Sequence, residues 1–508
     1  MKNIFLILLS ILGLELKAQS DINISNSPFW DTEPNLICSP TDSSILVCAW
    51  MSAGLGLITI KSRVSHNEGL TWGNTHLFAH HYINATSADV SMRYDANGIL
   101  YLTLIDYKPT FDSGAVYMYK SIDDGVSWDN GVKVFDMNET ADGAVDRPWF
   151  AIDAIGSSPT GIIYVTTKSP EAVVATNKHV WLKRSLDGGA TFSNPIQIDN
   201  ATYPAAGDKT MAVPVVEEGN WLYIVYLSYQ TGTLQYPKLI CALSTDSGNT
   251  FSYSEITQFT NAVTDTTLQV DWDITSQESS ATNIYYTIQT SQSLDVEERT
   301  FDYVNAWPQI FSCPNSDWGA YLYDEDMIWS AYDGLFNQAA VWRDRRYTGS
   351  SAFEIFAAFS DNSGNGYYPE RKLSSGSSPN QPISKGNDFL GCALNPNYLF
   401  AAWGDYRDGN WEIYFNRIPL NDFTKVNTPF ANDISVSYSN HSLIISNNKN
   451  YSNIKVVDAL GRLILSQSVS LQQNEIIKLK SDLPAGVYFA QLSDGTKSLT
   501  QKFVIPAE

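Results

Sequence analysis

The sequence is short of charge, of cationic charge most of all, and of cysteine and histidine. Only 17% of its 508 residues are charged, and 54 Asp and Glu against 32 Lys and Arg leave a formal net charge of −22. A chain this acidic lacks the broad basic face that a phosphate backbone requires, which argues against nucleic acid as a partner. The five cysteines, Cys38, Cys48, Cys241, Cys313 and Cys392, are scattered and odd in number, with no Cys-x-x-Cys spacing. Neither a zinc knuckle nor a redox pair is supported. Cys38 and Cys48 fall on what read as adjacent strands, where a bridge is conceivable and small buried thiols are the simpler expectation. The six histidines, His66, His76, His80, His81, His179 and His441, include no pair at zinc spacing. No Gly-x-Ser-x-Gly elbow and no phosphate-cradling glycine loop occurs. Asp324-Glu325-Asp326 reads as a solvated acidic turn, so no metal and no cofactor is expected.

What is present points to sheets. Hydrophobic residues make up 44% and aromatics 13%, with 14 Trp, 28 Tyr and 22 Phe. Bulky flat side chains suit a pleated surface, and such a composition excludes disorder and long coiled coil. The length predicts about two to four domains, or one large repeat domain with appendages. Residues 1–18 read as a cleaved export leader, with Lys2 ahead of an apolar run from Ile4 to Leu14 and Ala18 at the cut. No later run reaches spanning length, so a soluble, monomeric mature chain is expected.

One string recurs: Ser65-His-Asn-Glu-Gly-Leu-Thr-Trp72, Ser121-Ile-Asp-Asp-Gly-Val-Ser-Trp128, Ser185-Leu-Asp-Gly-Gly-Ala-Thr-Phe192 and Ser244-Thr-Asp-Ser-Gly-Asn-Thr-Phe251. A worn copy runs from Ser360 to Tyr367. The template is Ser-x-Asp-x-Gly-x-Thr-aromatic. Its carboxyl or amide can bond nearby backbone donors, its glycine takes a positive φ, and its aromatic plugs a gap between sheets. These are fold-building turns. The starts at 65, 121, 185, 244 and 360 are 56, 64, 59 and 116 residues apart, so one copy is missing near residue 302. Acidic starts run in phase: Glu33, Asp89, Asp146, Asp208, Asp271, Asp317 and Asp388. Dividing residues 22–425 by seven gives about 58 residues per unit, matching the box period, and six fits worse. Seven four-stranded units closing into a ring make an all-β propeller.

From residue 431 the chain changes, losing Trp and taking short strands between turns, a small β-sandwich over 431–508. Ile454-Lys-Val-Val-Asp-Ala-Leu-Gly-Arg462, Leu483-Pro-Ala-Gly-Val-Tyr488 and Lys502-Phe-Val-Ile505 together resemble the type A sorting domain of the Bacteroidetes type IX secretion system. One departure is Pro506-Ala507-Glu508 beyond the usual last strand. The resemblance implies type IX machinery as a partner and a secreted or cell-surface destination. The repeated boxes over 22–425 are similar to the Asp boxes of the sialidase-type (BNR repeat) propeller superfamily.

That second resemblance implies a face for each residue. Boxes lie on the bottom, while the acidic starts and the loops between second and third strands lie on top around the pore, with Arg147 and Lys209 among them. Two top loops are related: Trp342-Arg-Asp-Arg-Arg-Tyr347 and Trp403-Gly-Asp-Tyr-Arg-Asp-Gly409. They are read either as Asp–Arg pairs closing turns or as cationic spots that grip a carboxylate or sulfate. Exo-sialidases of the family use three arginines, a Tyr nucleophile activated by Glu, and an Asp acid. The resemblance implies Arg147, Arg343 or Arg346, and Arg407 for the first set, Tyr107 or Tyr229 for the nucleophile, and Asp89 or Asp146 for the acid. The family's opening Arg-Ile-Pro is missing, because the first unit begins Glu33-Pro-Asn. The expected function is recognition or hydrolysis of extracellular glycan or glycoprotein. The alternatives are a non-catalytic binding or adhesion module, and a polysaccharide lyase using His80, His81 or His179 as base.

Overall fold

Runs of β-branched and aromatic residues broken by Gly, Pro, Asn and Asp form strands through nearly the whole chain. The computed structural model describes residues 20–505 apart from 154–160, 171–177, 207–210, 218–220, 231–236, 259–269, 277–280, 290–293, 303–306, 312–324, 334–336, 349–350, 362–366, 381–388, 425–434, 440–441, 447–451, 459–461, 470–473, 481–482 and 494–497. The leader, Asp208, Lys209, Cys313, Asp317, Asp324, Asp388, His441 and 506–508 lie outside the described residues. Two units separate at Thr424 and Lys425.

The first unit is a seven-bladed propeller. Blade 1 is the meander Trp30–Cys38, Leu46–Gly54, Leu57–Ser65 and His76–Leu77. Blade 2 repeats it with Thr86–Tyr94, Leu100–Tyr107, Gly114–Ser121 and Val132–Asp136. Blades 3 to 6 have innermost strands Phe150–Asp153, Ala212–Glu217, Val270–Ser276 and Glu325–Tyr332. In the sixth blade the described part of that strand begins at Glu325. Blade 7 has three strands of its own, Gly391–Leu394, Tyr398–Asp405 and Glu412–Pro419. Its outer edge is completed by the N-terminal Ile22–Asn23, which pairs with Phe415 and Tyr414. Innermost strands touch in cyclic order from blade 1 round to blade 7 and back to blade 1, so the ring is closed with seven blades and not six.

The recurring boxes join third to fourth strands and wedge each blade against the one before. In the third copy, Asp187 accepts the N–H groups of Ala190 and Thr191 at 3.0 and 2.9 Å, and Ser185 Oγ accepts Gly189 N–H at 2.7 Å. In the first copy Gly69 lies against Phe415 of blade 7 at φ +82°, where a Cβ would sit 2.2 Å from the ring. Trp72 meets Phe415 edge-on at 5.3 Å, and Trp128 meets Phe78 at the same centroid distance. The gap near residue 302 falls where the third strand of blade 5, Leu294–Asp302, ends. Among the described residues Cys38, Cys48, Cys241 and Cys392 form no disulfide, and burial pushes the thiols of Cys38 and Cys241 up to about 12.

The second unit is a sandwich. A three-stranded sheet (Ser435–Ser439, Ser442–Ser446, Asn474–Lys478) faces a four-stranded one (Leu463–Ser468, Asn453–Asp458, Gly486–Ser493, Ser498–Ile505) across Leu443, Ile445, Ile454, Val456 and Leu492. Its motifs are turn devices. Asp458 accepts Arg462 N–H at 2.9 Å and Nε at 2.6 Å, and Tyr488 donates its hydroxyl to the Pro484 carbonyl at 2.8 Å.

Candidate functional site

At the end of the ring opposite the boxes, the innermost strands break register. Shifts lie between Thr32 and Asn35, Ala88 and Ser91, and Asp326 and Trp329. Glu33, Asp89, Arg147 and Met327 hold φ of 54°, 53°, 51° and 56° at these places. A bulge with a left-handed residue turns a side chain out of the pleat, and four blades do this at one level. The acidic starts, equivalent by spacing, are thereby split. Glu33 and Asp89 occupy bulges, whereas Asp146 precedes the Arg147 bulge and bridges across to Lys168.

Asp146 and Lys168 exchange backbone hydrogen bonds of 2.9 and 3.0 Å, and their side chains form an ion pair at 2.8 Å. Asp89 accepts the Arg147 N–H at 3.0 Å, next to the Asp146 carboxyl in sequence. Burial alone would raise Asp146. The Lys168 ammonium and the Arg147 charge outweigh it and hold the carboxyl below its usual range. Tyr107 ends the second strand of blade 2 and stacks on Phe111 at 5.1 Å. Burial, followed by the charges of Asp89, Asp146 and Glu33, pushes its phenol up to about 12. The Arg147 guanidinium lies 4.8 Å above Phe389, with Nη1 3.7 Å from Met211 Sδ. Phe389 in turn meets Trp149 at 5.0 Å and Trp329 at 5.6 Å, and the two indoles stand 5.7 Å apart. These aromatic rings come from blade 3, blade 6 and the approach to blade 7, so they floor the mouth on the ring axis.

The remaining expected residues go elsewhere. Trp342-x-Asp344-x-Arg346 and Trp403-x-Asp405-x-Arg407 match position by position, so Arg346, and not Arg343, is the counterpart of Arg407. In each, the carboxylate accepts the indole N–H (3.2 and 2.8 Å), the arginine N–H (2.8 Å in both) and Nε (2.8 and 2.9 Å). Each guanidinium also covers a ring, Phe356 at 4.6 Å and Tyr414 at 4.5 Å, and reaches a second carboxylate, Glu370 or Asp21. Both arginines are thus engaged in closing turns. Arg343 is buried with its guanidinium 5.1 Å over Phe353. Tyr229 lies within the strand Trp221–Gln230, 3% exposed in the core, and not on a top loop.

The histidines are structural links. His80 Nδ1 meets Asp106 at 2.8 Å and Ser87 Oγ at 3.0 Å, so acid and hydroxyl address one nitrogen and no relay runs through the ring. His179 Nδ1 binds Asp199 at 2.9 Å. Sequence reasoning missed Lys168, Trp149, Trp329 and Phe389. Lys168 ends the second strand of blade 3, and its bridge to Asp146 aligns it with Arg343, which pairs with Asp326 in blade 6. Among the described residues no group of three or more His, Cys, Asp or Glu side chains is placed to hold a metal ion, and no helix is long and apolar enough to cross a membrane.

Fold and site together define a seven-bladed propeller, with carboxyls and aromatic rings gathered at the end of the ring opposite the boxes, followed by a β-sandwich. Residues 429–506 match the family model described as "Secretion system C-terminal sorting domain". The sandwich is therefore a sorting domain, which directs the chain to secretion or the cell surface through the type IX system. No curated protein sequence matches the chain. Among solved structures, a protein of unknown function from Dyadobacter fermentans is 12% identical, covering 79% of this chain and 98% of its own, at a TM-score of 0.46. The Hadza microbial sialidase Hz136 is 11% identical over 79% of this chain and 69% of its own, at 0.43. The phage phi92 endosialidase is 10% identical over 96% and 87%, at 0.47. Likeness at this level says nothing of which residues act.

Proposed function

We propose that the chain is an exported propeller that hydrolyses extracellular glycan at its mouth, with Asp89 holding the proton and Asp146 the charge of a carboxyl pair. The two carboxyls carry this reading, Asp146 paired with the Lys168 ammonium at 2.8 Å and Asp89 accepting the Arg147 N–H at 3.0 Å. The Lys168 ammonium and the Arg147 charge hold Asp146 ionised, which leaves Asp89 as the candidate for the acid role. A protonated carboxyl at a pore mouth suits proton transfer to a glycosidic oxygen. Tyr107, with its phenol pushed up to about 12, stays protonated at neutral pH. Exo-sialidase chemistry is the finer reading, and it draws little support from Arg346 and Arg407, both engaged with carboxylates.

That engagement favours a second reading, a glycan- or glycoprotein-binding module using the same mouth without turnover. A glycan array run beside a panel of fluorogenic glycosides, sialoside included, separates the two. Turnover that falls by about 100-fold or more in Asp89→Asn while binding persists supports the proposal. Turnover unchanged in that variant refutes Asp89 as the acid, and binding without any turnover leaves the module.

A further inference from the structure

We infer that the ring axis carries a second ligand site, at the box end and away from the mouth, which takes a small organic carboxylate with a compact apolar body. A cavity of about 290 Å³ lies there, at the lower end of the range of about 300–1,000 Å³ usual for small-molecule sites. The inference does not rest on the glycan reading.

Six blades wall the cavity at one level. Each contributes the first-strand residue of the second pair in from the hairpin that joins its first two strands. These residues are Ile37, Arg93, Ile152, Val216, Ala331 and Ala393. Five are aliphatic, and blade 2 places a guanidinium where they stand. All but Ala393 are half-buried, so a solute entering the cavity meets them. The innermost strands pair along one edge only, and the other edge offers peptide N–H groups toward the axis. Trp329 also lines the cavity and stands 5.6 Å from Phe389, so its indole is a wall common to the cavity and the mouth floor.

Charge sets the kind of ligand. Among the described residues that line the cavity Arg93 is the one ion, and no carboxylate stands with it although the chain carries 54 Asp and Glu. Its Nη1 donates to the Met92 carbonyl at 2.8 Å, which fixes the head group against the wall. A guanidinium carries five N–H donors, more than one carbonyl uses. Set in a ring of aliphatic side chains, it pairs strongly with a carboxylate that the ligand itself brings, while Ile37, Ile152 and Val216 cover the ligand's apolar body.

The test is calorimetric titration of the full-length chain with benzoate and hexanoate beside benzyl alcohol and hexanol, which match them in body and lack the charge. Each acid is expected to bind about tenfold or more tightly than its alcohol, and Arg93→Gln to erase that margin while leaving the alcohols within about twofold. Equal affinity for acid and alcohol overturns the inference, as does an acid preference that survives Arg93→Gln. Binding of none of the four shows a channel that holds solvent alone and overturns it too. Should Arg93→Gln fail to fold, the wild type crystallised with 4-bromobenzoate decides the matter. Bromine located by anomalous scattering on the axis beside Arg93 supports the site, and bromine elsewhere or nowhere overturns it.

Discussion

Asp21→Ala tests how the ring is closed. The Asp21 side chain is 1% exposed and ties the N-terminal segment to blades 6 and 7. It accepts Ser375 N–H at 2.8 and 3.0 Å, Gly376 N–H at 3.2 Å, Arg407 Nη1 at 2.7 Å and Asn416 Nδ2 at 2.8 Å. Truncation leaves Arg407 its other carboxylate, Asp405, so no buried charge is orphaned. The Ser375 amide lies at an exposed edge where water can replace the acceptor. The loss is therefore the charge-assisted bond with Arg407 plus two or three weaker ones, about 3 kcal/mol in all. In a domain this large that lowers the melting temperature by about 4 °C. Urea unfolding followed by tryptophan fluorescence measures it, with Asp21→Asn expected to lose about 1 kcal/mol because its shape and part of its bonding persist. If Asp21→Ala unfolds within about 0.5 kcal/mol of the wild type, the N-terminal strand is not what seals blade 7.

Two further outcomes follow from the boxes. Hydrogen bonds from Thr191 Oγ1, Thr191 N–H and Ser185 hold the Asp187 carboxyl at about 2. Its folded value lies below the unfolded 3.8, so its contribution is full above that and disappears as pH falls through about 2. The group is exposed, so Asp187→Ala costs only about 1 kcal/mol at neutral pH, with a shallower acid limb in a titration of stability and mouth ligand binding unchanged. Loss of ligand without loss of stability would assign the box to function instead. Gly69→Ala forces a Cβ to 2.2 Å from the Phe415 ring at φ +82° and is expected to cost about 3 kcal/mol or more, whereas Gly56→Ala, with open space around it, costs about 1 kcal/mol. Equal melting curves for the two variants would show that the box glycine does not wedge blade 1 against blade 7.

Much of the architecture is local, and for that reason it is written in the sequence. A box needs only Ser185, Asp187, Gly189 and Thr191 within seven residues to fold its turn, so its spacing sets the period of about 58 residues, and that period divides residues 22–425 into seven. The Asp458–Arg462 and Pro484–Tyr488 turns of the sandwich are short-range in the same way. The fate of the arginines depends on partners far along the chain. Arg346 meets Glu370, and Arg407 meets Asp21, 386 residues away. Spacing cannot tell a guanidinium turned to a ligand from one closing a turn. Likewise Tyr229 reads as a loop residue until its strand is seen to continue through it. One bulge residue separates Asp89 from Asp146, and only the closed ring brings Lys168, Phe389 and Trp149 to a common axis. Turns that satisfy their own backbone are decided by neighbours in sequence, whereas a mouth built from several blades is decided by where the ring sets each innermost strand.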